Sequence, residues 1–430
     1  MRILETGVDS PEVIRQALSS GSAAVATDIT LVVEGIIRDV KARGDIALLD
    51  LGRKFDSPHL ESILIEENAI QNSISNLPAD FLSALEHAAR NIRRFHEDEK
   101  QQSWTSWNPG RTLGQIVRPI DSVGIYIPGG RAAYPSSVLM TAIPAQVAGV
   151  PEISVCTPSA PHGKIPDTVL AACRLCGVNR VYAVGGAQAI AAFALGTESV
   201  KKVDKVVGPG NQYVNVAKRL LFGHIGIDSL AGPSEVLILS DGSADPEWVA
   251  ADLIAQAEHG GESKSILITD SRLHADAVLK AVNRLADTLS RSEILKQSLG
   301  SVGVVLIVQN REEALKWTNL CAPEHLQVLV ENPETWLGGI RNAGAIFVGP
   351  YSPVPLGDYA AGPSHTLPTG TAARFSSALG VSEFQKRTSL IWYGPEGYPE
   401  DARAAARLAA MEGLDGHKLS LQLRLKDGCS

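Results

Sequence analysis

VGIYIPGGRAAYPSSVLMTAIPAQVAGVPEISVCTPS, residues 123–159, decides the fold. VGIYI is a short apolar run rich in β-branched residues, and the Pro-Gly-Gly behind it ends a strand. SSVLMTAIPAQVAG (136–149) carries apolar residues at helical spacing and closes on a glycine. ISVCTPS (153–159) is a second strand-like run with a turn behind it. Strand, loop, helix and strand at these lengths make a βαβ unit, which requires a parallel sheet covered by helices.

The alternation continues downstream. DTVLAACRLCG (167–177), RVYAVGG (180–186), AQAIAAFALG (187–196), KVVGPGN (205–211) and QYVNVAKRLLFG (212–223) extend the first sheet. A second series begins near residue 235. Its strands are EVLILSD (235–241), SILITD (265–270), VGVVLIV (302–308), HLQVLVE (325–331) and AIFVGP (345–350), with helices over 246–259 and 273–288. LAGPSEV (230–236) marks the boundary. The expected fold class is α/β with two parallel sheets.

The flanks read differently. SPEVIRQAL (10–18) gives residues 1–25 the character of a helical arm, and residues 28–100 are strongly helical. SEFQKRTSLIWY (382–393) and EDARAAARLAAMEGL (400–414) turn the C-terminal end helical again.

A chain of 430 residues exceeds one compact core. Its 39 basic and 47 acidic residues leave a net charge of −8, with no basic stripe, which argues against nucleic acid and acidic membrane as partners. Cys156, Cys173, Cys176, Cys321 and Cys429 are an odd, sparse set that points to a reducing, cytoplasmic setting. The Cys173-x-x-Cys176 pair has no second ligand pair nearby and reads as core packing. VLMTAIPAQVAGV (138–150) is too short to span a bilayer, and the first residues lack a signal-peptide core.

Three glycine-rich loops follow strands: YIPGGR (126–131), VGGAQA (184–189) and VGPGNQY (207–213). Such loops let a backbone approach a phosphate, with a helix N-terminus behind it. Tyr213 stands where the third glycine of a dinucleotide fingerprint belongs, so tight turns remain the competing reading of that loop alone. In DPEWVAADLIAQAEHGG (245–261), Gln256 and His259 share one face of the last helical turn. They are either half of a divalent-metal site or a polar helix end. GPYSPVPLGDYAAGPSHTLPTG (349–370) reads as a long functional loop holding Asp358 and His365. MEGLDGHKLSLQLRL (411–425) places Glu412 and His417 before a strand-like alternation, as if the chain end were tied down against another subunit. NLCAPEHLQV (319–328) sets Glu324 and His325 side by side at the mouth of a buried strand. Inside the strand they would point to opposite faces and bury a charge; at its mouth both can reach one pocket. Gln256, His259, Asp358 and His417 together offer a mixed N/O donor set suited to zinc or a similar ion.

With these stretches assembled, the sequence resembles the histidinol dehydrogenase family over nearly its whole length. The resemblance rests on GIYIPGGRAAYPSSVLM, VGGAQAIAA, DKVVGPGNQYV, AGPSEVL, AQAEHG, APEHLQV, GDYAAGPSHTLPTGTAARFSSALGV, FQKR and EGLDGH. It implies two successive NAD+-dependent oxidations, L-histidinol to L-histidinaldehyde to L-histidine, with one zinc ion per subunit. Gln256, His259 and Asp358 would bind that zinc, and His417 would complete it from the partner subunit of an intertwined homodimer. Glu324 and His325 would be the catalytic acid–base pair, and Tyr126, Gln188 and Asn211 would contact NAD+. Ser234, His365 and Glu412 would line the substrate site together with these ligands and the acid–base pair. The implied fold is two Rossmann-like α/β domains, one inserted in the other, with helical N- and C-terminal arms. In residue terms, 1–25 is the first arm, 26–125 with 233–378 the metal-bearing domain, 126–232 the inserted nucleotide domain, and 379–430 an exchanged arm. Ser364 departs from the asparagine that many relatives carry. A neutral His325 is expected to take the alcohol proton and Glu324 to activate the water that hydrates the aldehyde. The alternatives are a related zinc/NAD enzyme acting on another polar alcohol, such as a sulfonated diol, and a zinc hydrolase, which the three glycine-rich loops disfavour.

Overall fold

The computed structural model describes residues 1–19, 27–129 and 133–427. Its strands are β1 (Arg2–Glu5), β2 (Trp104–Asn108), β3 (Arg111–Pro119), β4 (Ser122–Tyr126), β5 (Glu152–Thr157), β6 (Arg180–Ala183) and β7 (Lys205–Val207). There follow β8 (Gly226–Ile227), β9 (Glu235–Ser240), β10 (Lys264–Thr269), β11 (Val304–Ile307), β12 (His325–Leu329), β13 (Ala345–Val348) and β14 (Gln385–Tyr393).

The opening βαβ stretch folds as β4, the helix Pro135–Ala148 and β5, with β4 and β5 parallel. That helix is apolar almost all round and almost wholly buried. One face lies on Val123, Ile125 and Val155, and the other meets Leu85, Ala88 and Ile92 of the helix Ala79–Asp98. A helix without a polar stripe needs cover on both sides, and the preceding helix supplies it. The parallel sheet runs β6-β5-β4-β7-β8. The chain travels outward from β4 to β6, then returns to the other side of β4 at β7. The crevice at this reversal, outside the carboxyl ends of β4 and β7, is where open α/β sheets hold ligands.

The second parallel sheet runs β1-β11-β10-β9-β12-β13. β9, β10 and β12 are buried at every position, as a sheet covered on both faces requires. The five-stranded sheet is inserted in sequence between β1 and β9, so the expected pair of α/β units with one inside the other is present.

Three expectations about the flanks are corrected. The N-terminal segment is not purely helical: β1 pairs with β11 along its full length, and Leu4, Ile14 and Leu18 join the six-stranded core. Residues 20–25 of the expected arm lie outside the described residues. The helices between Thr27 and Asp98 pack on the five-stranded sheet, with Val33, Val40 and Leu48 on one face and Ile70, Leu85 and Ile92 on the other. SEFQKRTSLIWY is not helical either. β14 pairs antiparallel with β3 from Gln385↔Pro119 to Tyr393↔Arg111, in the sheet β14-β3-β2. Its Thr, Ile, Trp and Tyr fit a pleated surface better than a helix. Conversely, the alternating LSLQLRL lies in the helix Asp415–Asp427, where Leu, Lys, Gln and Arg all favour helix.

Candidate active site

Tyr126, Gln188 and Asn211 lie in or beside the three glycine-rich loops at the carboxyl end of the five-stranded sheet. Tyr126 ends β4, and its hydroxyl accepts a hydrogen bond from Gly186 N–H at 3.1 Å. Burial pushes its phenol up to about 12, so it stays protonated. Gln188 is buried near the start of the helix Gly186–Leu195. Asn211 caps the helix Gln212–Leu221, accepting from Tyr213 N–H at 3.0 Å and Val214 N–H at 3.2 Å. Gly208 has φ 114°, and a Cβ there would overlap the Tyr126 carbonyl oxygen, so the first and third loops pack back to back only with glycine. Gly130 and Arg131 of the first loop lie outside the described residues.

Glu324 and His325 sit at the amino end of β12, in the other sheet. The helix Arg311–Cys321 closes on Ala322, whose φ of 47° is left-handed, and Pro323 then leads into Glu324 and His325. This tight turn puts Glu324 just before β12 and His325 at its first residue, at the amino ends of the strands. Both are almost wholly buried, at 5 % and 4 % exposure. The neighbouring strand compensates. Glu235 N–H donates to Glu324 Oε2 at 2.9 Å, and the Glu235 carbonyl lies 3.1 Å from His325 Nδ1. The nearby Ser234 side chain also favours the charged form of the Glu324 carboxyl. A carbonyl only accepts, so Nδ1 carries a proton and Nε2 is the basic atom of a neutral ring. Nε2 is buried without a hydrogen bond and stands 3.7 Å from Asp358 Oδ1.

Burial pushes the Glu324 carboxyl up, against the pull of His325. Burial works against protonation of His325, but Glu324 and Asp358 outweigh it and hold the imidazole at about 9. In the metal-free chain these two carboxylates therefore favour the imidazolium. A cation that took up the Asp358 charge would favour the neutral ring, whose Nε2 is basic.

The donors for such a cation stand close by. Gln256 closes the helix Pro246–Ala257, and His259 follows just past its end. Asp358 lies in a short helix, Val354–Tyr359, inside what the sequence presented as a loop. Gln256, His259 and Asp358 share the wall of a cavity of about 840 Å³, with Phe81, Leu85 and Tyr134 opposite. Burial keeps His259 neutral, the form a metal takes, while His325, His365 and His259 hold Asp358 ionised against its own burial. The Gln256 amide is 3 % exposed, and its Nε2 has no partner. A buried amide left half-bonded costs about 1–3 kcal/mol, and which end is oxygen is an assignment, so this side chain fits a ligand better than a packing role. His365 is engaged on both sides, Nδ1 with the Asp358 carbonyl at 2.9 Å and Nε2 with Ser137 Oγ at 3.1 Å. It steadies the Asp358 helix. Ser364 supports the same loop, donating to the Met140 carbonyl at 3.2 Å.

Glu412 and His417 are not brought to this cavity. Both are exposed, on the C-terminal helices Tyr398–Met411 and Asp415–Asp427 or the turn between them. Among the described residues no three His, Cys, Asp or Glu side chains are grouped to hold a metal within one chain. Sequence reasoning missed Glu235, although it carried the same signal as Glu324: a carboxylate opening an otherwise apolar strand.

The comparisons agree with this architecture. The histidinol dehydrogenase family model matches residues 20–425. The histidinol dehydrogenase of Dechloromonas aromatica is 47% identical over 415 residues, covering 96% of each chain. That of Nitrosomonas europaea is 48% identical over 411 residues, covering 95% of each. The crystal structure of histidinol dehydrogenase from Elizabethkingia anophelis superposes with a TM-score of 0.96 at 35% identity, covering 100% of this chain and 99% of that one. With the family model spanning residues 20–425, the Glu324–His325 pair included, the chain belongs to the histidinol dehydrogenase family.

Proposed function

We propose that this oxidoreductase converts L-histidinol through L-histidinaldehyde to L-histidine, using NAD+ and one zinc ion per subunit, as a cytoplasmic homodimer. The observation that carries the reading is the buried Glu324–His325 pair, clamped by Glu235 and facing Asp358. When bound, NAD+ supplies the hydride acceptor for both oxidations, and zinc supplies a redox-inert anchor for the substrate's nitrogens. Gln256, His259 and Asp358 would hold the metal, with His417 of the partner subunit as fourth donor. Tyr126, Gln188 and Asn211 would bind the cofactor at the β4/β7 crevice. His325 Nε2 then accepts the proton of the substrate hydroxyl, and again that of the aldehyde hydrate. Glu324 takes the proton of the water that adds to the aldehyde. Its burial makes it a stronger base than a surface carboxylate. Ser234 and His365 line the substrate site, and Glu412 of an exchanged arm pairs with the substrate's amine.

The apolar surface supports the dimer. Trp107, Ile391 and Trp392 are exposed on the three-stranded sheet, and Leu408, Met411 and Leu423 on the C-terminal helices, an array that calls for a second copy. The cytoplasmic reading is supported by buried, unpaired Cys156, Cys173, Cys176 and Cys321; Cys429 lies outside the described residues. Among the described residues no helix is long and apolar enough to cross a membrane.

The deciding experiment is an assay of the metal-depleted enzyme with L-histidinol and NAD+, followed by zinc re-addition. NADH absorbance should return with zinc, two equivalents per histidinol. Activity with a sulfonated diol in place of histidinol would transfer the reading to that substrate.

A further inference from the structure

Gly208, at the start of the third glycine-rich loop, is gripped on both sides by buried charge. Its N–H donates to Asp228 Oδ2 at 2.7 Å, and its carbonyl accepts from Lys218 Nζ at 2.6 Å. Lys218 Nζ also reaches Asp228 Oδ1 at 2.7 Å, closing a triangle. The two side chains are only 2% and 4% exposed. An ion pair this dry gives little stability over an apolar pair of the same volume, so stability alone is a poor account of it. Its geometry is more telling. It satisfies both backbone polar groups of one residue, at a φ of 114° that glycine adopts freely and other residues rarely do.

The grip extends along the loop. Asn215, one turn into the following helix, reaches the Gly210 carbonyl at 3.5 Å and the Ala231 carbonyl at 2.5 Å, and accepts from Ala231 N–H at 3.2 Å. The segment that supplies Asp228 and Ala231 runs directly into Ser234 and Glu235, which hold the reactive pair. One strip of chain thus braces the cofactor loop at one end and the acid–base pair at the other.

We infer that Lys218 and Asp228 are positioning residues for the dinucleotide: they hold the Gly208–Asn211 loop in its binding shape before the cofactor arrives. The inference rests on the proposal that NAD+ occupies the β4/β7 crevice. A loop ordered in advance spares the cofactor the entropy of ordering it, and freeing even one residue weakens binding about tenfold.

The test is equilibrium titration of NAD+ in the absence of histidinol, on wild type, Lys218→Met and the double variant Lys218→Met/Asp228→Leu. The double variant removes the buried charge entirely and guards against misfolding of the single one. Both should bind NAD+ at least about tenfold more weakly, with near-UV circular dichroism and zinc content unchanged. Folded variants that bind as tightly as wild type overturn the inference. Failure of wild type itself to bind NAD+ overturns the cofactor reading instead. Hydrogen exchange on cofactor-free wild type adds an arm that needs no substitution. The Gly208 amide should be protected, and exchange at the rate of an open loop overturns the inference whatever the variants do.

Discussion

One residue, Glu235, holds both members of the reactive pair through its backbone: its N–H meets Glu324 Oε2 at 2.9 Å and its carbonyl faces His325 Nδ1 at 3.1 Å. Adjacent residues diverge in a strand, and here the neighbouring strand spans the divergence. β9 and β12 are in register at Val236↔His325, which sets Glu235 opposite Glu324. The two groups are fixed relative to each other without touching closely, 3.6 Å apart, a separation that suits the two proton transfers proposed for them.

Glu324→Gln keeps the acceptor for Glu235 N–H through its amide oxygen but loses the base. Oxidation of the aldehyde should fall by roughly 10²–10⁴-fold, and oxidation of the alcohol far less. Single-turnover NADH formation from histidinol and from histidinaldehyde separates the two steps. Equal losses in both would contradict the division of labour.

His325 should show its anionic neighbours in the metal-free enzyme. Its ring, held at about 9 there, should titrate lower in Asp358→Asn, because one of the two anions that favour the imidazolium is gone. The raised value stabilises the folded state fully below the unfolded value of 6.5, and that stabilisation is lost as pH rises through about 9. Ring NMR of the two proteins checks the direction. An unchanged or higher value in the variant would show that Asp358 does not act on the ring.

If His417 serves the partner's site, two inactive variants should rescue each other. A dimer of one His417→Ala and one Asp358→Ala protomer has one site with all its ligands and one lacking two. Random pairing of equal amounts makes about half the dimers mixed, so roughly a quarter of wild-type activity should return after the variants are unfolded and refolded together. Zinc content should recover in the same proportion. No recovery on mixing would place His417 outside the site.

Much of this is legible in the sequence itself. The alternation of strands and helices in 123–223 and 235–350 gave both sheets, because period and length are local properties. Glu324 stood out because a charge at the mouth of an apolar strand needs a reason. What failed was non-local. Nothing within RILE marks it as an edge strand of a sheet whose other strands start more than 230 residues later. The leucine alternation around residue 421 fits a strand and a helix equally, and packing on the helix Tyr398–Met411 decided between them, with Tyr398 donating to the Leu421 carbonyl at 3.0 Å. Lys218 and Asp228 gave no signal, since a lysine in an amphipathic helix ordinarily faces water.

Glu235 should also be visible in the pH dependence of stability. Burial and the nearby Glu324 push its carboxyl up to about 7 from an ordinary value of 4.5, with Lys264 pulling the other way. Between these values the folded chain holds a proton that the unfolded chain releases, so stability falls as pH rises through the window. Asp56 and Asp252, each raised by burial to about 6, act with the same sign at its lower end, and the raised Glu324 and His325 act with the same sign across it, so Glu235's own share is the part of the slope that its substitution removes. Glu235→Gln is neutral at every pH and should flatten that part while leaving the acidic end of the curve unchanged. Denaturant unfolding of the metal-free enzyme at a series of pH values measures both slopes. A wild-type slope that persists in the variant would assign the proton to another group and leave Glu235 ionised beside Glu324.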